Sequence, residues 1–327
     1  MPRVFSGIQP TGDPHLGNWI GAISRWAAAQ EPGHVFCIVD LHAITIPKDP
    51  AELRAKTLDL AAWLLAAGID PEVSTLFVQS HVREHTELTW ILSCSAQMGE
   101  LNRMTQFKQK SAGRESVSVG LYTYPVLQAA DILAYQADEV PVGEDQVQHI
   151  ELTRDIAHRF NTRFGETFTL PKATIPTAGA RIMDLQVPDA KMSKSAETDA
   201  GVILLAETPA RTAKKIMRAI TDSGSEVVAG PDKPGVTNLL DLLSAVTGRE
   251  VPALEEEFAG RMYGDFKKAV AEAVNDYLQP ARDRYAELSA DPGEVQRLLA
   301  IGADRAREVA ATTMAAVRER VGFLPSA

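Results

Sequence analysis

The stretch Val4-Phe5-Ser6-Gly7-Ile8-Gln9-Pro10-Thr11-Gly12-Asp13-Pro14-His15-Leu16-Gly17-Asn18 decides the fold. Its first three residues predict a short buried strand, because turn residues follow them directly. The glycines and proline predict a tight turn, after which Asp13 is expected to cap a helix with Pro14 at its first position. The free N–H groups of a helix amino terminus suit a phosphate. A plain strand-to-helix turn with an incidental histidine is the alternative interpretation.

Outward from this stretch, short β-rich runs alternate with longer helical patterns. Strands are predicted at 35–39, 75–78 and 140–142, with 181–185 a candidate last strand, and helices at 50–65, 85–98, 125–135 and 144–160. This alternation is typical of a parallel sheet wound with crossover helices. We therefore predict an α/β protein: a Rossmann-like, doubly wound parallel sheet with a helical insertion in residues 1–195, and a C-terminal α-helical domain in residues 196–327, whose last helix can pack back on the first domain.

Composition excludes several classes of protein. The 327 residues are 45% hydrophobic and 23% charged, which is ordinary for a globular chain and argues against disorder or a fibrous repeat. The longest uncharged apolar run, residues 60–69, is too short to span a bilayer, and the amino terminus lacks a signal core. We therefore expect no membrane association and a cytoplasmic location. Two cysteines are too few for a disulfide framework or a four-thiolate site, and no residue spacing predicts a protein-bound metal.

The charge pattern allows polyanion binding only at local patches. With 33 basic and 43 acidic side chains the net charge is −10, so no broad basic field exists. One basic patch spans residues 101–114 and includes Lys110; the other places Arg211, Lys214, Lys215 and Arg218 at i, i+3, i+4 and i+7 of a helical pattern. Such a stripe attracts nucleic-acid phosphates, although most charge stripes are only solvated surface.

In a doubly wound sheet, ligands bind beyond the carboxyl ends of the strands. Polar residues follow the predicted strands at Asp40-Leu41-His42, at Gln79-Ser80-His81 and at Gly143-Glu144-Asp145-Gln146. Each set has an ordinary structural explanation as well, such as helix capping or a buried hydrogen bond. On the helix predicted before the last of these sets, Tyr124, Gln128 and Asp131 share one face, which is either a pocket wall or a solvated surface.

The segment Lys191-Met192-Ser193-Lys194-Ser195 is the most specific in the chain. Two ammonium groups and two hydroxyls on a loop between domains can neutralise polyphosphate charge as it shifts in a transition state. A solvated linker would have a similar composition. The combination of this pentapeptide with polar residues after the strands is much more specific than either feature alone.

These motifs resemble those of the class I aminoacyl-tRNA synthetases. Residues 14–18 resemble the family's His-Ile-Gly-His signature, and residues 191–195 match its Lys-Met-Ser-Lys-Ser loop in full. More narrowly, the chain is similar to the bacterial tryptophanyl-tRNA synthetases. The segments that carry this similarity are 5–12, 37–40, 42–45, 99–113, 124–125, 129–133, 141–146 and 149–161, with a weaker match at 238–240 and 263–264.

Two positions depart from that pattern and keep alternatives open. Asn18 replaces the second histidine of the signature, and Gln128 stands where many relatives carry Met. The spacing of Tyr124, Gln128 and Asp131 is similar to that of tyrosyl-tRNA synthetases, so tyrosine activation is the first alternative. A catalytically inactive RNA-binding relative is the second, and the intact segment 191–195 argues against it.

The resemblance implies an enzyme that joins L-tryptophan to ATP, releases pyrophosphate, and passes the acyl group to tRNA(Trp). The attacking carboxylate is already ionised, so the first step needs alignment and charge stabilisation rather than a general base. Magnesium would be bound through the ATP phosphates. The family is homodimeric, and residues 1–195 and 196–327 would be its catalytic and anticodon-binding parts.

The resemblance also implies roles for individual residues. The nucleotide set is Gln9, Pro10, Thr11, His15, Gly17, Asn18, Gly143, Glu144, Asp145, Ile182, Lys191, Met192, Ser193, Lys194 and Ser195, with Lys191, Ser193, Lys194, Asn18 and Lys110 acting in catalysis. The tryptophan set is Asp131, Tyr124, Gln146, Gln128, Phe5, Gly7, His42, Val140 and Val142. Asp131 would accept the indole N–H, and Tyr124 with Gln146 would bind the ammonium. Arg211, Lys214, Lys215 and Arg218 would contact tRNA.

Overall fold

The computed structural model describes residues 2–113, 116–175, 182–193 and 199–325, with the exception of the Lys110 side chain. Its centre is a parallel sheet. Strands β1 (Phe5–Ile8), β2 (Val35–Ile38) and β3 (Thr75–Val78) pair in that order, and β4 (Glu139–Pro141) pairs with β5 (Lys172–Thr174). A parallel bridge between Val4 and Glu139 joins the two groups, which gives the order β5-β4-β1-β2-β3. The predicted doubly wound α/β fold is confirmed.

Fourteen α-helices lie within the described ranges. They are α1 (Leu16–Asn18), α2 (Ser24–Ala28), α3 (Asp40–Ala43), α4 (Pro50–Ala66), α5 (Glu84–Ser93), α6 (Met98–Arg103), α7 (Thr105–Ser111), α8 (Val119–Leu133), α9 (Val147–Phe164), α10 (Pro209–Met217), α11 (Pro234–Thr247), α12 (Val251–Glu257), α13 (Tyr263–Ala290) and α14 (Pro292–Val321). A π-helical turn, Trp19–Ile23, joins α1 to α2.

The sheet separates two apolar cores because successive side chains of a strand point to opposite faces. On β2, Phe36 and Ile38 join the core built with α4, α11 and α13. Val35 and Cys37 join the core built with α5, α8 and α9. All four residues are buried, as expected for a strand covered on both faces.

The last helix packs against the edge strand of the sheet. Gly302 of α14 faces β3 so closely that an added Cβ would lie 1.8 Å from the carbonyl oxygen of Leu76. Any side chain there would push the helix off the strand. Trp63 of α4 also stacks on Tyr285 of α13, with ring centroids 4.0 Å apart.

The division of the chain at residue 195 stays a prediction, because residues 194–198 lie outside the described ranges.

Several local predictions were wrong. The helix after β1 begins later than expected: His15, not Asp13, is its N-cap, and Asp13 instead pairs with Lys56. The helix expected at 85–98 ends at Ser93. The helix expected to start at Pro125 starts at Val119, because Ser118 caps it. In the described part of 181–185 there is a single bridge, Met183 with Lys191, and no strand.

Candidate active site

A cavity of about 320 Å³ lies at the carboxyl ends of β1 and β4. These neighbouring strands lead to connections on opposite sides of the sheet, which is the point where ligands bind in such folds. The lining residues are Phe5, Gly7, Gln9, Val39, His42, Gln106, Tyr124, Gln128, Asp131, Ile132, Val140, Pro141, Val142, Gly143 and Gln146. All nine residues expected to bind tryptophan line it, together with Gln9 and Gly143 of the nucleotide set.

Asp131 is the most constrained polar group of the cavity. It is 1% exposed, and its Oδ2 lies 2.8 Å from His42 Nε2. Its Oδ1 lies 2.6 Å from His85 Nδ1 and accepts a 2.7 Å hydrogen bond from Gln79 Nε2. Burial raises the pKa of Asp131, but the hydrogen bonds from both histidines outweigh it and hold that pKa well below its usual range. The cavity therefore contains a fixed anionic acceptor.

A second layer holds these partners in place. His85 Nε2 lies 2.7 Å from the hydroxyl of Tyr135, and both residues are fully buried. Elsewhere on the wall, the Tyr124 hydroxyl lies 2.8 Å from His149 Nε2. Burial raises the pKa of Tyr124 to about 12, so this hydroxyl stays protonated at neutral pH.

The mouth of the cavity is polar. Gln146 Nε2 and Gln106 Nε2 donate to the same oxygen, Asp145 Oδ2, at 2.8 and 3.0 Å. Asp145 and Glu144 are exposed on the short 3₁₀ turn Glu144–Gln146 that follows β4. This arrangement orients Gln146, one of the cavity residues, from outside the cavity.

The turn after β1 is tied to the start of the C-terminal region. His15 is 2% exposed, and its Nδ1 accepts from the Asn18 N–H at 3.3 Å, which closes the cap of α1. The backbone of His15 also forms an antiparallel bridge with Leu204. Leu16 N donates to Ile203 O at 2.8 Å. Gln9, Pro10, Thr11 and Gly17 lie on this same turn and helix start.

The lysine-containing segment lies against that turn. Met183 bridges Lys191, and Met192 N donates to the carbonyl oxygen of Ile182 at 3.1 Å. Met192 is 1% exposed, and a Cβ added to Gly17 would lie 3.5 Å from Met192 Cβ. The two signature segments therefore lie side by side, although Gly17 and Met192 are 175 positions apart in the sequence. Ile182 is buried and Lys191 is exposed, while Lys194 and Ser195 lie outside the described residues.

The predicted basic stripe is not one exposed surface. Lys215 is 7% exposed, lies 2.7 Å from Glu207 Oε2, and donates to the Val202 carbonyl oxygen at 2.6 Å. Because its ammonium group is buried and already paired, Lys215 presents no exposed charge here, and its role as a tRNA contact stays a prediction. Arg211 is exposed but forms an ion pair with Asp199. Lys214 and Arg218 are exposed.

Sequence reasoning missed some residues of the site. Val39, Gln106, Ile132 and Pro141 line the cavity, and Gln79, His85, Tyr135 and His149 hold its polar groups. The position of Gln79 directly after a strand was a usable signal. His85 and Tyr135 carried none, since their contacts cross 46 and 50 positions.

Two absences are observed within the described ranges. No helix there is long and apolar enough to cross a membrane. No three His, Cys, Asp or Glu side chains in those ranges form a group that could hold a metal ion.

Comparison with known proteins identifies the family. The family described as tRNA synthetases class I (W and Y) matches residues 1–279. Tryptophan–tRNA ligase 2 of Streptomyces avermitilis is 56% identical over 99% of this chain and 98% of its own length. The Mycobacterium leprae tryptophan–tRNA ligase is 54% identical over 99% and 97%.

Solved structures agree with the sequence relatives. The tryptophanyl-tRNA synthetase of Mycoplasma pneumoniae superposes with a TM-score of 0.88 at 37% identity, covering 99% of this chain and 98% of that one. The Campylobacter jejuni enzyme, in complex with ADP and tryptophan, gives 0.87 at 37% identity, covering 98% and 100%. This chain therefore belongs to the class I tRNA synthetases of the tryptophan and tyrosine family.

Proposed function

We propose that this enzyme is a tryptophan–tRNA ligase: it activates L-tryptophan with ATP and transfers it to tRNA(Trp), releasing AMP and pyrophosphate. The observation that carries the proposal is the cavity built around the anionic Asp131, whose carboxylate takes part in three side-chain hydrogen bonds and can accept a fourth. Its support is the identity of 52–56% to five tryptophan–tRNA ligases over nearly the whole chain. Adenylate formation and transfer to tRNA are the activity of an aminoacyl-tRNA synthetase.

Tryptophan binds in the cavity between β1, β4 and α8. The indole N–H donates to Asp131, which is suited to this because a carboxylate accepts hydrogen bonds and its low pKa keeps it ionised. Phe5, Val140 and Val142 contact the ring. Tyr124 and Gln146 bind the ammonium end, and Gln128 lies on the same lining. A site committed to one buried polar contact rejects analogues that lack the matching group.

ATP binds across the turn that follows β1. Its phosphates lie at the start of α1, near Gly17 and the side-chain amide of Asn18, and the adenine packs near Ile182. Lys191, Ser193 and Lys194 hold the leaving pyrophosphate, with Lys110 as a helper. Gly143, Glu144 and Asp145 contact the nucleotide from the β4 side. The substrate carboxylate attacks the α-phosphorus, and negative charge moves onto pyrophosphate, where these ammonium groups stabilise it.

Magnesium enters with the nucleotide. The ion would be carried by the ATP phosphates, where it would neutralise part of their charge. The enzyme acts in the cytoplasm, where tRNA and ATP meet, and it acts as a homodimer. Three exposed cations of α10 and its end are candidates for tRNA contact: Arg211, which also pairs with Asp199, Lys214 and Arg218.

Amino-acid-dependent pyrophosphate exchange tests the proposal. Each of the twenty amino acids is supplied with ATP, Mg²⁺ and labelled pyrophosphate. Exchange with tryptophan at least about a hundredfold above tyrosine is the expected result, since a site committed to one polar contact can discriminate by up to about 10⁴- to 10⁵-fold. Exchange driven by tyrosine would instead support the tyrosine alternative prompted by Gln128. No exchange with any amino acid would support an inactive RNA-binding relative.

A further inference from the structure

Asn238 joins the helical domain to the backbone beside the lysine segment. It lies on α11, is 3% exposed, and contacts Met183, 55 positions away, through both ends of its amide. Met183 N donates to Asn238 Oδ1 at 2.9 Å, and Asn238 Nδ2 donates to Met183 O at 3.0 Å. The amide thus satisfies both backbone polar groups of one residue.

Met183 is the residue that faces Lys191. Around their bridge, Asp184 N donates to Ala190 O at 2.8 Å and Met192 N donates to Ile182 O at 3.1 Å. Met183 and Lys191 therefore form a non-hydrogen-bonded antiparallel pair, and the N–H and C=O of Met183 point away from Lys191. Asn238 occupies the position that a third strand would take.

The far side of this pair of segments lies next to the signature turn. Met192 packs beside Gly17, with 3.5 Å between Met192 Cβ and a Cβ built on Gly17. A continuous path thus runs from α11 through Asn238 and Met183 to Lys191 and Met192, and then to the turn. A displacement of Met183 would move the Lys191 backbone relative to the start of α1.

We propose that Asn238 is a positioning residue for adenylate formation: it holds Met183 so that the paired segment presents Lys191 to the phosphates bound at the Gly17 turn. This rests on the proposed function of that turn and segment. Asn238 touches no substrate, and it acts through backbone geometry alone.

Asn238→Ala is the first test. We expect kcat for tryptophan-dependent pyrophosphate exchange to fall about tenfold to a hundredfold, because a misplacement of about 1 Å costs on that scale. The tryptophan Kd should stay within about twofold, since the cavity is not on this path. Ser244→Ala is the matched control. It removes one hydrogen bond of the same helix, from Ser244 Oγ to Arg249 O at 2.6 Å, and should leave kcat unchanged.

A double-mutant cycle with Lys191→Ala separates positioning from general damage. If Asn238 acts through Lys191, adding Asn238→Ala to Lys191→Ala should lower kcat by less than about threefold more. If the double variant's loss of kcat equals the product of the two single-variant losses, the proposal is overturned. Two further results would overturn the proposal in favour of a purely structural role. One is a loss of tryptophan affinity in parallel with kcat; the other is an Asn238→Ala protein that thermal unfolding shows to be already unfolded at the assay temperature.

Asn238→Asp gives a pH signature. The carboxylate accepts from Met183 N but cannot donate to Met183 O, whereas the protonated acid does both. Burial favours the protonated form. The ratio of variant to parent kcat should therefore rise as pH falls from about 8 to about 6, and a constant ratio would contradict the proposal. If the parent enzyme shows no tryptophan-dependent exchange, the proposed function fails; if the parent is active and Asn238→Ala equals it, only this inference fails.

Discussion

The two halves of the site are built differently. In the cavity that we propose binds tryptophan, the central acceptor Asp131 is buried and held by three side chains, and a further buried tyrosine holds one of these. On the phosphate side, Lys191 is exposed, and none of the ion pairs among the described residues includes it. Under the proposed function, selection would depend on a buried, hydrogen-bonded interior, and charge neutralisation on a surface segment whose backbone is hydrogen-bonded to the helical domain.

Removing a cation from the phosphate side should have the largest effect. We expect Lys194→Ala to lower adenylate formation by about a hundredfold to a thousandfold, the range found for single groups that stabilise developing charge. Tryptophan affinity should change little, because the cavity is separate. Pyrophosphate exchange and fluorescence titration measure the two quantities. Lys268→Ala, at an exposed lysine of α13, is the control, and activity of Lys194→Ala equal to the parent would refute the phosphate role.

Neutralising the central acceptor of the cavity should act on selection instead. Asp131→Asn keeps the shape but loses the charge that the two histidines face. We expect kcat/KM for tryptophan to fall about tenfold to a hundredfold, the value of a charge-assisted hydrogen bond. For the tryptophan analogue with sulfur in place of the indole N–H, the same substitution should lower kcat/KM much less. Equal losses for both substrates would place the indole contact elsewhere.

The depressed pKa of Asp131 predicts an acid-dependent stability difference between parent and Asp131→Asn. A carboxylate with a lowered folded pKa stabilises the fold above its unfolded pKa, about 3.9, and loses this as pH falls through the folded value. The free energy of unfolding of the parent, relative to that of Asp131→Asn, should therefore fall by up to about 1.4 kcal/mol per pH unit below about pH 4. Urea unfolding from pH 7 to pH 3 measures it. An advantage that grows on acidification would contradict the sign.

The second layer of the cavity should contribute mainly stability. Tyr135→Phe leaves His85 Nε2 without its partner at 2.7 Å in a fully buried place. We expect a loss of about 1–3 kcal/mol in unfolding free energy. Tyr122→Phe removes a hydroxyl bound to Met98 O at a more exposed position and should cost less. If chemical denaturation shows equal losses of unfolding free energy for the two variants, the buried hydrogen bond stabilises the fold no more than the exposed one.

A surface contact should matter least. Arg318 of α14 pairs with Glu87 of α5, and both side chains are more than a third exposed. Arg318 lowers the pKa of Glu87, so the pair forms fully only above the ordinary pKa of a glutamate. Arg318→Ala should cost about 0.2–1 kcal/mol and less in high salt. Thermal unfolding at two salt concentrations checks this, with Arg297→Ala, which breaks a pair inside α14, as control. A loss of stability that does not change with salt concentration would contradict a solvent-screened ion pair.

Most of the sheet followed from sequence because buried parallel strands are short apolar runs. The four strands β1 to β4 carry that signal, whereas Lys172-Ala173-Thr174 of β5 does not. The shared face of Tyr124, Gln128 and Asp131 also followed from helical spacing. The helix start at Val119 did not, since Pro125 is a common first residue of helices and here lies inside one.

The features of the site that the sequence did not reveal share a cause. A heptad-like spacing places Arg211 and Lys215 on one helix face, but only the packed structure shows that Glu207 and the Val202 carbonyl take Lys215 out of solvent. The same holds for His85, Tyr135 and Asn238, whose partners are far along the chain. Side chains that contact a substrate can leave a local motif. Those that hold such side chains in place depend on tertiary contacts and leave none.

A crystal structure with tryptophan and a non-hydrolysable ATP analogue would show whether the two signature segments bind the same triphosphate. We predict that the triphosphate lies between the start of α1 at Gly17 and the ammonium groups of Lys191 and Lys194, with the indole N–H at Asp131. A triphosphate bound elsewhere, with both lysines remote from it in every conformation observed, would contradict this prediction.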